Sequence, residues 1–289
     1  MKVKKAVIPV AGLGTRLLPA TKTVPKELLP IVDTPAIQYV VQEAVDSGLT
    51  EMIFVTARGK DGIEDHFDEA PELELVLEQR GQREMLERLK AISGMIDIVS
   101  VRQKQPLGLG HAVLSAKHLV GDEPFAVLLS DDLIDDPIPC LRQLLNVFEA
   151  KGESVLALRK VSRPDVRRYG IIQGPTISDR TYEVQSMIEK PEPKDAPSEL
   201  AIVGRYILHH DIFSYLEKVQ PGKGGEIQLT DGIAELARRR KVYGYEFTGE
   251  HFDVGDKLGV VRANIAYALK RPDLRDPLMK YLAKLVGKD

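Results

Sequence analysis

The chain has 289 residues, 43% hydrophobic and 29% charged, a balance that excludes a disordered, collagenous or coiled-coil polypeptide and leaves one or two globular units with a sizeable core. No apolar run approaches the roughly 18 residues needed to cross a bilayer, and Met1-Lys2-Val3-Lys4-Lys5 leads into few apolar residues before Pro9 and Gly12, so neither a membrane span nor a signal peptide is expected. A net charge of −3 argues against a nucleic-acid partner, and the single cysteine, Cys140, excludes an intrachain disulfide and fits a reducing, cytoplasmic setting.

Taken in chain order, the apolar run from Val3 to Val10 predicts a buried parallel strand that feeds directly into Ala11-Gly12-Leu13-Gly14-Thr15-Arg16. Ile37, Val40, Val41, Ala44 and Val45 recur at helical spacing, with Pro35 suited to a first turn and Gly48 to a C-terminal cap. Met52 to Thr56 reads as a strand, 72–92 as one or two amphipathic helices, Ile96 to Val101 as a strand and Gly110 to Leu119 as a helix. Phe125 to Leu129 is a further buried strand, ending in Ser130-Asp131-Asp132, and 138–150 is helical. This alternation predicts an α/β fold: a Rossmann-like, mostly parallel sheet flanked by helices, with ligands beyond the carboxyl ends of its strands.

The second half reads differently. Strands are expected at 154–160, 170–173, 182–189 and 202–208, then helices at 210–218 and 227–240, strands at 243–247 and 251–254, and a helical stretch over 257–286 interrupted at Pro272 and Pro277. This is a mixed or antiparallel β-rich extension closed by C-terminal helices. The whole is read as one domain over 1–289, with a first half at 1–135, a second at 136–256 and a C-terminal helical segment at 257–289.

Charge is unevenly spread. Residues 1–30 carry six basic side chains (Lys2, Lys4, Lys5, Arg16, Lys22, Lys26) against Glu27, a local +5 that leaves −8 for the remainder. Gly12-Leu13-Gly14 after a strand invites a dinucleotide reading, but the third glycine of that fingerprint would fall at Leu17, and no phosphate-binding loop of the G-x-x-x-x-G-K-[ST] form occurs. What remains is either an ordinary turn or a loop whose exposed N–H groups wrap phosphates. Arg16, Lys22 and Lys26 favour the second, because Pro19, Pro25 and Pro30 stiffen the segment that carries them. Arg can fork two phosphate oxygens while Lys acts as a compact charge.

The run from Ala11 to Lys22, followed by Pro25-Lys26-Glu27-Leu28-Leu29-Pro30, resembles the signature of bacterial UTP–glucose-1-phosphate uridylyltransferases, also called UDP-glucose pyrophosphorylases. Further stretches resemble that family in order: Val101-Arg102-Gln103, Gly108-Leu109-Gly110-His111-Ala112, Ile188-Glu189-Lys190-Pro191, Val203-Gly204-Arg205-Tyr206, Gly225 to Asp231, and Phe252-Asp253-Val254-Gly255. Together they extend from residue 5 to about 260. The resemblance implies a nucleotidyltransferase fold with a nucleotide-binding first half and a sugar-phosphate second half. It implies that UTP and glucose 1-phosphate give UDP-glucose and pyrophosphate by in-line attack on the α-phosphorus, with Mg²⁺ as cofactor. A sugar phosphate is largely dianionic at neutral pH, so positioning and charge neutralisation should carry the reaction without a general base.

Carried over by resemblance, Arg16 suits the β- and γ-phosphates, Lys26 the α-phosphate, and Lys190 the sugar phosphate. Asp131 is the metal ligand and Asp253 the second acidic position of the metal site; Asp132 is a ribose or water-mediated contact. Each aspartate also suits a cap or a solvated turn. Glu189 accepts from sugar hydroxyls, and Gln103 offers a donor and an acceptor to uracil. Backbone groups of Ala11, Gly12 and Gly108 complete the nucleotide subsite, with Gly14, Thr15 and Glu27 from the same motifs. Tyr169-Gly170 and Val203-Gly204 approach the glucose ring. Glu226 either binds hydroxyls or merely favours a helix N-terminus. Arg238-Arg239-Arg240-Lys241 reads as a solvated face, and His66, His118, His209 and His210 show no metal-ligand spacing. Members of the family are commonly homodimers or homotetramers, for which the C-terminal helices are candidate contacts, and their product supplies cell-envelope and exopolysaccharide routes. Rival readings are a sister enzyme using dTTP or another sugar phosphate, a non-catalytic nucleotide-sugar sensor, and a dehydrogenase, the last disfavoured by Leu17.

Overall fold

The computed structural model describes residues 2–222 and 225–287; Met1, 223–224 and 288–289, which include the outer ends of the spans 1–135 and 257–289, lie outside the described residues. In chain order the first part runs β1 (Lys5–Pro9), a small hairpin β2 (Pro30–Ile31) and β3 (Thr34–Pro35), α1 (Ala36–Asp46), β4 (Glu51–Thr56), α2 (Gly62–Asp65), α3 (Pro71–Gln79), α4 (Arg83–Ser93) and β5 (Ile98–Arg102). It continues with α5 (Leu109–Ser115), α6 (Lys117–Val120), β6 (Phe125–Leu128), β7 (Asp132–Asp135) and α7 (Cys140–Lys151). The second part runs β8 (Ser154–Lys160), β9 (Gly170–Gln173), β10 (Thr176–Ser178), β11 (Thr181–Glu183), β12 (Ser186–Glu189) and β13 (Leu200–Leu208). After these come α8 (Ile212–Leu216), α9 (Leu229–Ala237), β14 (Val242–Glu246), β15 (Glu250–Asp253), α10 (Lys257–Lys270) and α11 (Pro272–Leu285).

One mixed eleven-stranded sheet runs through both parts in the order β10-β11-β14-β8-β13-β6-β1-β4-β5, with β9 joining β13 and β12 joining β9. Its first-half strands are parallel, β1 lying between β4 and β6. The second half enters through β13, antiparallel to both β6 and β8. Alternate residues of the central strands feed two cores. Ala6, Ile8, Met52, Phe54, Ala126 and Leu128 face the one that packs α1 and α7, while Val7, Ile53, Val55, Phe125 and Val127 face the one that packs α5, α8 and α9. Covering both faces is why these strands read as unbroken apolar runs. Among the described residues no helix is long and apolar enough to cross a membrane, and Cys140 is a free, buried thiol.

Departures from the predicted elements include the following. The single strand expected over 182–189 is two, because successive N–H groups take opposite partners: Val184 N donates to the Val242 carbonyl (2.9 Å) and Gln185 N to that of Gln173 (2.8 Å). The chain thus passes from β14 to β9 at this point. Asp132–Asp135, for which no strand was expected, is one: β7 pairs with β15 in a separate two-stranded arm. Pro272 opens α11, but Pro277 lies inside it without ending it. The ring forfeits one backbone bond near the helix start, and packing of α11 on α10 carries the helix past it.

Candidate active site

The loop after β1 is folded back on itself. Gly14 has φ +66°, and a Cβ there would meet Lys26 Cβ and Thr21 Cγ2 at 3.2 Å, while Thr21 Oγ1 donates to the Gly14 carbonyl at 2.8 Å. That close return brings Arg16 and Lys26 to the same place. Lys26 Nζ lies 2.6 Å from Asp131 Oδ2, and Arg16 lies 3.4 Å from both Asp131 Oδ2 and Asp253 Oδ2. Asp131 leaves the carboxyl end of β6, and the β7–β15 arm delivers Asp253, registered opposite Asp132. Gly255 closes the cluster: a Cβ would fall 2.4 Å from Arg16 Nη2 and 2.6 Å from Asp131 Oδ2.

Burial pulls down the Lys26 ammonium, but Asp131 and Glu27 outweigh it and hold the group above its ordinary value, firmly charged. Burial, reinforced by the charges of Asp132 and Asp131, raises the Asp253 carboxyl although Arg16 opposes this. Burial also works against the charge of Asp132, yet His251, Arg205 and Lys26 keep its carboxyl below the usual range. The acidic side chains are therefore differentiated by their neighbours, the carboxyl of Asp132 being shifted down and that of Asp253 up.

Across the cleft, Glu189 Oε2 accepts from Thr230 Oγ1 at 2.6 Å and its Oε1 lies 3.2 Å from Lys190 Nζ. Lys190 itself has φ +46°, a left-handed conformation costly for a side-chain-bearing residue, and its N–H is held by the Tyr169 carbonyl at 2.9 Å. The Glu-Lys pair is thus locked at a strained strand exit. Gly108 has φ +96°, and a Cβ would press on Glu226 Cβ (2.8 Å) and the Ile227 carbonyl (2.9 Å), so this loop docks directly on the 226–227 segment. Gln103 Nε2 donates to the Gly108 carbonyl (3.1 Å) and lies 3.0 Å from His111 Nδ1. Both amide hydrogens are spent there, leaving Gln103 to present its oxygen as an acceptor alone, where a donor and an acceptor were expected.

The predicted site residues other than Glu27, and other than the loop cation Lys22, line one cleft of about 910 Å³ at the carboxyl ends of the parallel strands: Ala11, Gly12, Gly14, Thr15, Arg16, Lys26, Gln103, Gly108, Asp131, Asp132, Tyr169, Gly170, Glu189, Lys190, Val203, Gly204, Glu226 and Asp253. Glu27 points inward, 1% exposed, with Oε2 2.7 Å from Lys60 Nζ and Oε1 without a partner. Burial raises its carboxyl, with Lys60 opposing; its side chain packs behind the loop and does not line the cleft. Arg168, which the sequence did not single out, also lines the cleft and bridges Asp253 (2.7 Å) and Asp256 (2.9 Å). Its position just before Tyr169-Gly170 was the only sequence signal. His209, His210 and Asp211 do converge within 4.8 Å, contrary to expectation, but Arg240 donates to Asp211 (2.7 Å) and lies 3.2 Å from His209 Nδ1, placing a guanidinium where a metal cation would sit. Arg238, Arg240 and Lys241 are ion-paired with Glu235, with Glu153 and Asp211, and with Glu183, as a structural face would be.

A glycine loop backed by two cations, carboxylates at the ends of two strands, and a Glu-Lys pair facing them over a parallel sheet define a nucleotidyltransferase site. Residues 5–269 match the family model described as nucleotidyl transferase. A UTP–glucose-1-phosphate uridylyltransferase of Bacillus subtilis (strain 168) is 49% identical over 288 residues, covering 100% of this chain and 99% of its own. A UDP-glucose pyrophosphorylase solved in complex with UDP-glucose is 43% identical with a TM-score of 0.86, covering 93% of this chain and 100% of that one. A UTP-bound UGPase from Acinetobacter baumannii is 41% identical with a TM-score of 0.90, covering 98% and 100%. The chain belongs to the nucleotidyl transferase family, and within it to the UTP–glucose-1-phosphate uridylyltransferases.

Proposed function

We propose that this chain transfers the uridylyl group of UTP to glucose 1-phosphate, giving UDP-glucose and pyrophosphate. The observation that carries the reading is the convergence of Lys26, Arg16 and Asp253 around Asp131, facing Glu189-Lys190 within a single cleft. A phosphate oxygen of glucose 1-phosphate is the nucleophile and is already anionic, so the bond to the α-phosphorus forms as the bond to pyrophosphate breaks, with no proton to remove. Lys190 orients the attacking phosphate while Glu189, steadied by Thr230, accepts from sugar hydroxyls. Lys26 neutralises charge growing on the α-phosphoryl group, and Arg16 takes the departing phosphates. The Gln103 oxygen suits the N3–H donor of uracil, where cytosine offers an acceptor.

The donor set suits Mg²⁺, a hard cation usually held by one or two carboxylates plus phosphate oxygens and water. Asp131 and Asp253 would hold it. When bound it supplies charge neutralisation on the phosphates. In this reading the nucleotide subsite lies in 1–135 and the sugar subsite in 136–256, while the 257–289 segment supports homodimer or homotetramer contacts through exposed Leu258, Val261, Met279, Tyr281 and Leu285.

A matrix of nucleotides against sugar 1-phosphates, with and without Mg²⁺, tests the proposal through pyrophosphate release. UTP with glucose 1-phosphate should be the preferred pair and chelation should abolish turnover. Lys190→Ala and Asp131→Asn should each lose roughly 10²-fold or more in kcat/KM. Preference for dTTP would move the chain to the sister enzymes, and tight UDP-glucose binding without turnover would make it a sensor.

A further inference from the structure

Arg159, His251 and Asp132 form a row that runs from the main sheet, through the β7–β15 arm, to the cleft. Arg159 Nη1 lies 2.6 Å from His251 Nδ1, and His251 Nε2 lies 2.5 Å from Asp132 Oδ1. The imidazole is almost wholly enclosed, with 2% of its side-chain surface exposed. A guanidinium has only N–H groups to offer, so Nδ1 must be the acceptor. Nε2 is then the side of the ring that donates, to Asp132 Oδ1.

This leaves Asp132 Oδ2 as the remaining acceptor, and its direction is set by the packing. A Cβ on Gly204 would stand 2.2 Å from Oδ2, so the oxygen lies against the β13 strand that the proposed function places beside the glucose ring. Asp132 and Gly204 both line the cleft. The Asp132 main chain is fixed separately, since its carbonyl accepts from Arg205 Nη2 at 2.7 Å. The carboxylate torsion is what remains free, and the imidazole removes that freedom. An anionic oxygen in this place would repel phosphate and favour a hydroxyl donor.

We infer that Arg159 and His251 are positioning residues that hold Asp132 with Oδ2 turned to the sugar side of the cleft, as an acceptor for a hydroxyl of the sugar phosphate. The inference rests on the proposed uridylyl transfer. His251→Phe keeps the ring but removes both nitrogens, Arg159→Met removes the outer donor, and His251→Gln keeps one donor and one acceptor. Phe and Met variants should raise KM for glucose 1-phosphate about tenfold with kcat changed by less than a factor of about three. UTP affinity measured calorimetrically without the sugar should stay at the wild-type value, and His251→Gln should recover most of the loss. Nitrogen-15 spectra of histidine-labelled wild-type protein should show His251 protonated on Nε2, a preference weakened in Arg159→Met. Equal losses in His251→Phe and His251→Gln, a defect in UTP binding instead of sugar KM, or a proton on Nδ1 would overturn the assignment. If His251→Phe does not fold, Arg159→Met and the wild-type spectrum decide. Absence of uridylyl transfer by the wild type would remove the activity reading, whereas the spectrum tests the row itself.

Discussion

Replacing Glu43 tests what holds the aspartate turn in place. Arg205 has no exposed surface, and its guanidinium uses every N–H. Nε and Nη2 engage Glu43 at 2.7–3.1 Å, Nη2 also reaches the Asp132 carbonyl at 2.7 Å, and Nη1 reaches those of Leu129 (3.2 Å) and Gly204 (2.9 Å). Glu43 in turn takes the Leu141 N–H at the start of α7 (2.9 Å). Glu43→Ala therefore strands a buried cation and should cost about 3–5 kcal/mol, as breaking a buried pair does. With a urea slope of roughly 2–3 kcal/mol per molar, the unfolding midpoint should fall by about 1–2.5 M. Removing both charges in Glu43→Leu with Arg205→Met separates two explanations. A bare ion pair can be replaced by apolar residues at little cost, whereas here the Asp132 carbonyl would lose its Arg205 donor and the Leu141 N–H its Glu43 acceptor, at about 1–3 kcal/mol for each group left unpaired where water cannot enter, while the Leu129 and Gly204 carbonyls would fall back on single backbone donors. The double variant should thus remain less stable and lose turnover, because Leu129 and Asp132 bracket Asp131. Urea unfolding followed by circular dichroism, with a pyrophosphate-release assay, reads both. A double variant with wild-type midpoint and kcat would refute the clamp, as would a Glu43→Ala midpoint within about 0.3 M of wild type.

Gly255→Ala should depress kcat about tenfold or more, since its Cβ would collide with the Arg16 and Asp131 side chains; unchanged kinetics would show that the cluster gives way freely. Gly108→Ala combines a disfavoured φ with contact against Glu226 and Ile227 and moves the carbonyl that holds Gln103, so calorimetry should find UTP affinity reduced about tenfold or more. For pH dependence, His209 is held below its ordinary value by burial and by Arg240, with Asp211 opposing, and His66 by burial. A depressed folded value means that this contribution is complete above about pH 6.5 and is lost as pH falls through the lowered values. Wild type should lose more stability than His209→Gln between neutral pH and about pH 5, and parallel curves would exclude the assignment.

The first half of the fold was legible because its strands are covered on both faces. Ala6-Val7-Ile8, Met52 to Val55 and Phe125 to Leu128 are buried without a polar interruption, so composition alone marks them. Of the β7–β15 arm, β15 was read as a strand at 251–254 but β7 carries no such mark: Asp132–Asp135 is short and acidic and becomes a strand by pairing with Glu250–Asp253. The split at Val184 is likewise set by which neighbouring strands are present. Within the site, Arg16 and Lys26 were readable because a stiff segment keeps them close in sequence, and Asp131 because it follows a buried strand. The direction of Glu27 was not legible in the same way: adjacency to Lys26 in a short 3₁₀ turn sends one side chain to the cleft and the other to Lys60. Arg205, Glu43, Arg159 and His251 act only through partners far along the chain, and their residue types carry no local signal of it.

The net charge of −3 concealed an arrangement of alternating signs. Lys60 faces Glu27; Lys26 and Arg16 share Asp131; Arg16 also faces Asp253; and Arg168 spans Asp253 and Asp256. The +5 segment thus meets carboxylates drawn from the −8 remainder, and the cleft presents a row of ion pairs instead of an exposed positive well. In the proposed reaction a triphosphate would enter by exchange: its oxygens would take Lys26 and Arg16, and the freed Asp131 and Asp253 would be the residues to hold a divalent cation. Exchange of this kind ties the two ligands together, because each occupies the groups that the other's arrival frees. Linkage then requires that the nucleotide tighten the cation by the same factor as the cation tightens the nucleotide.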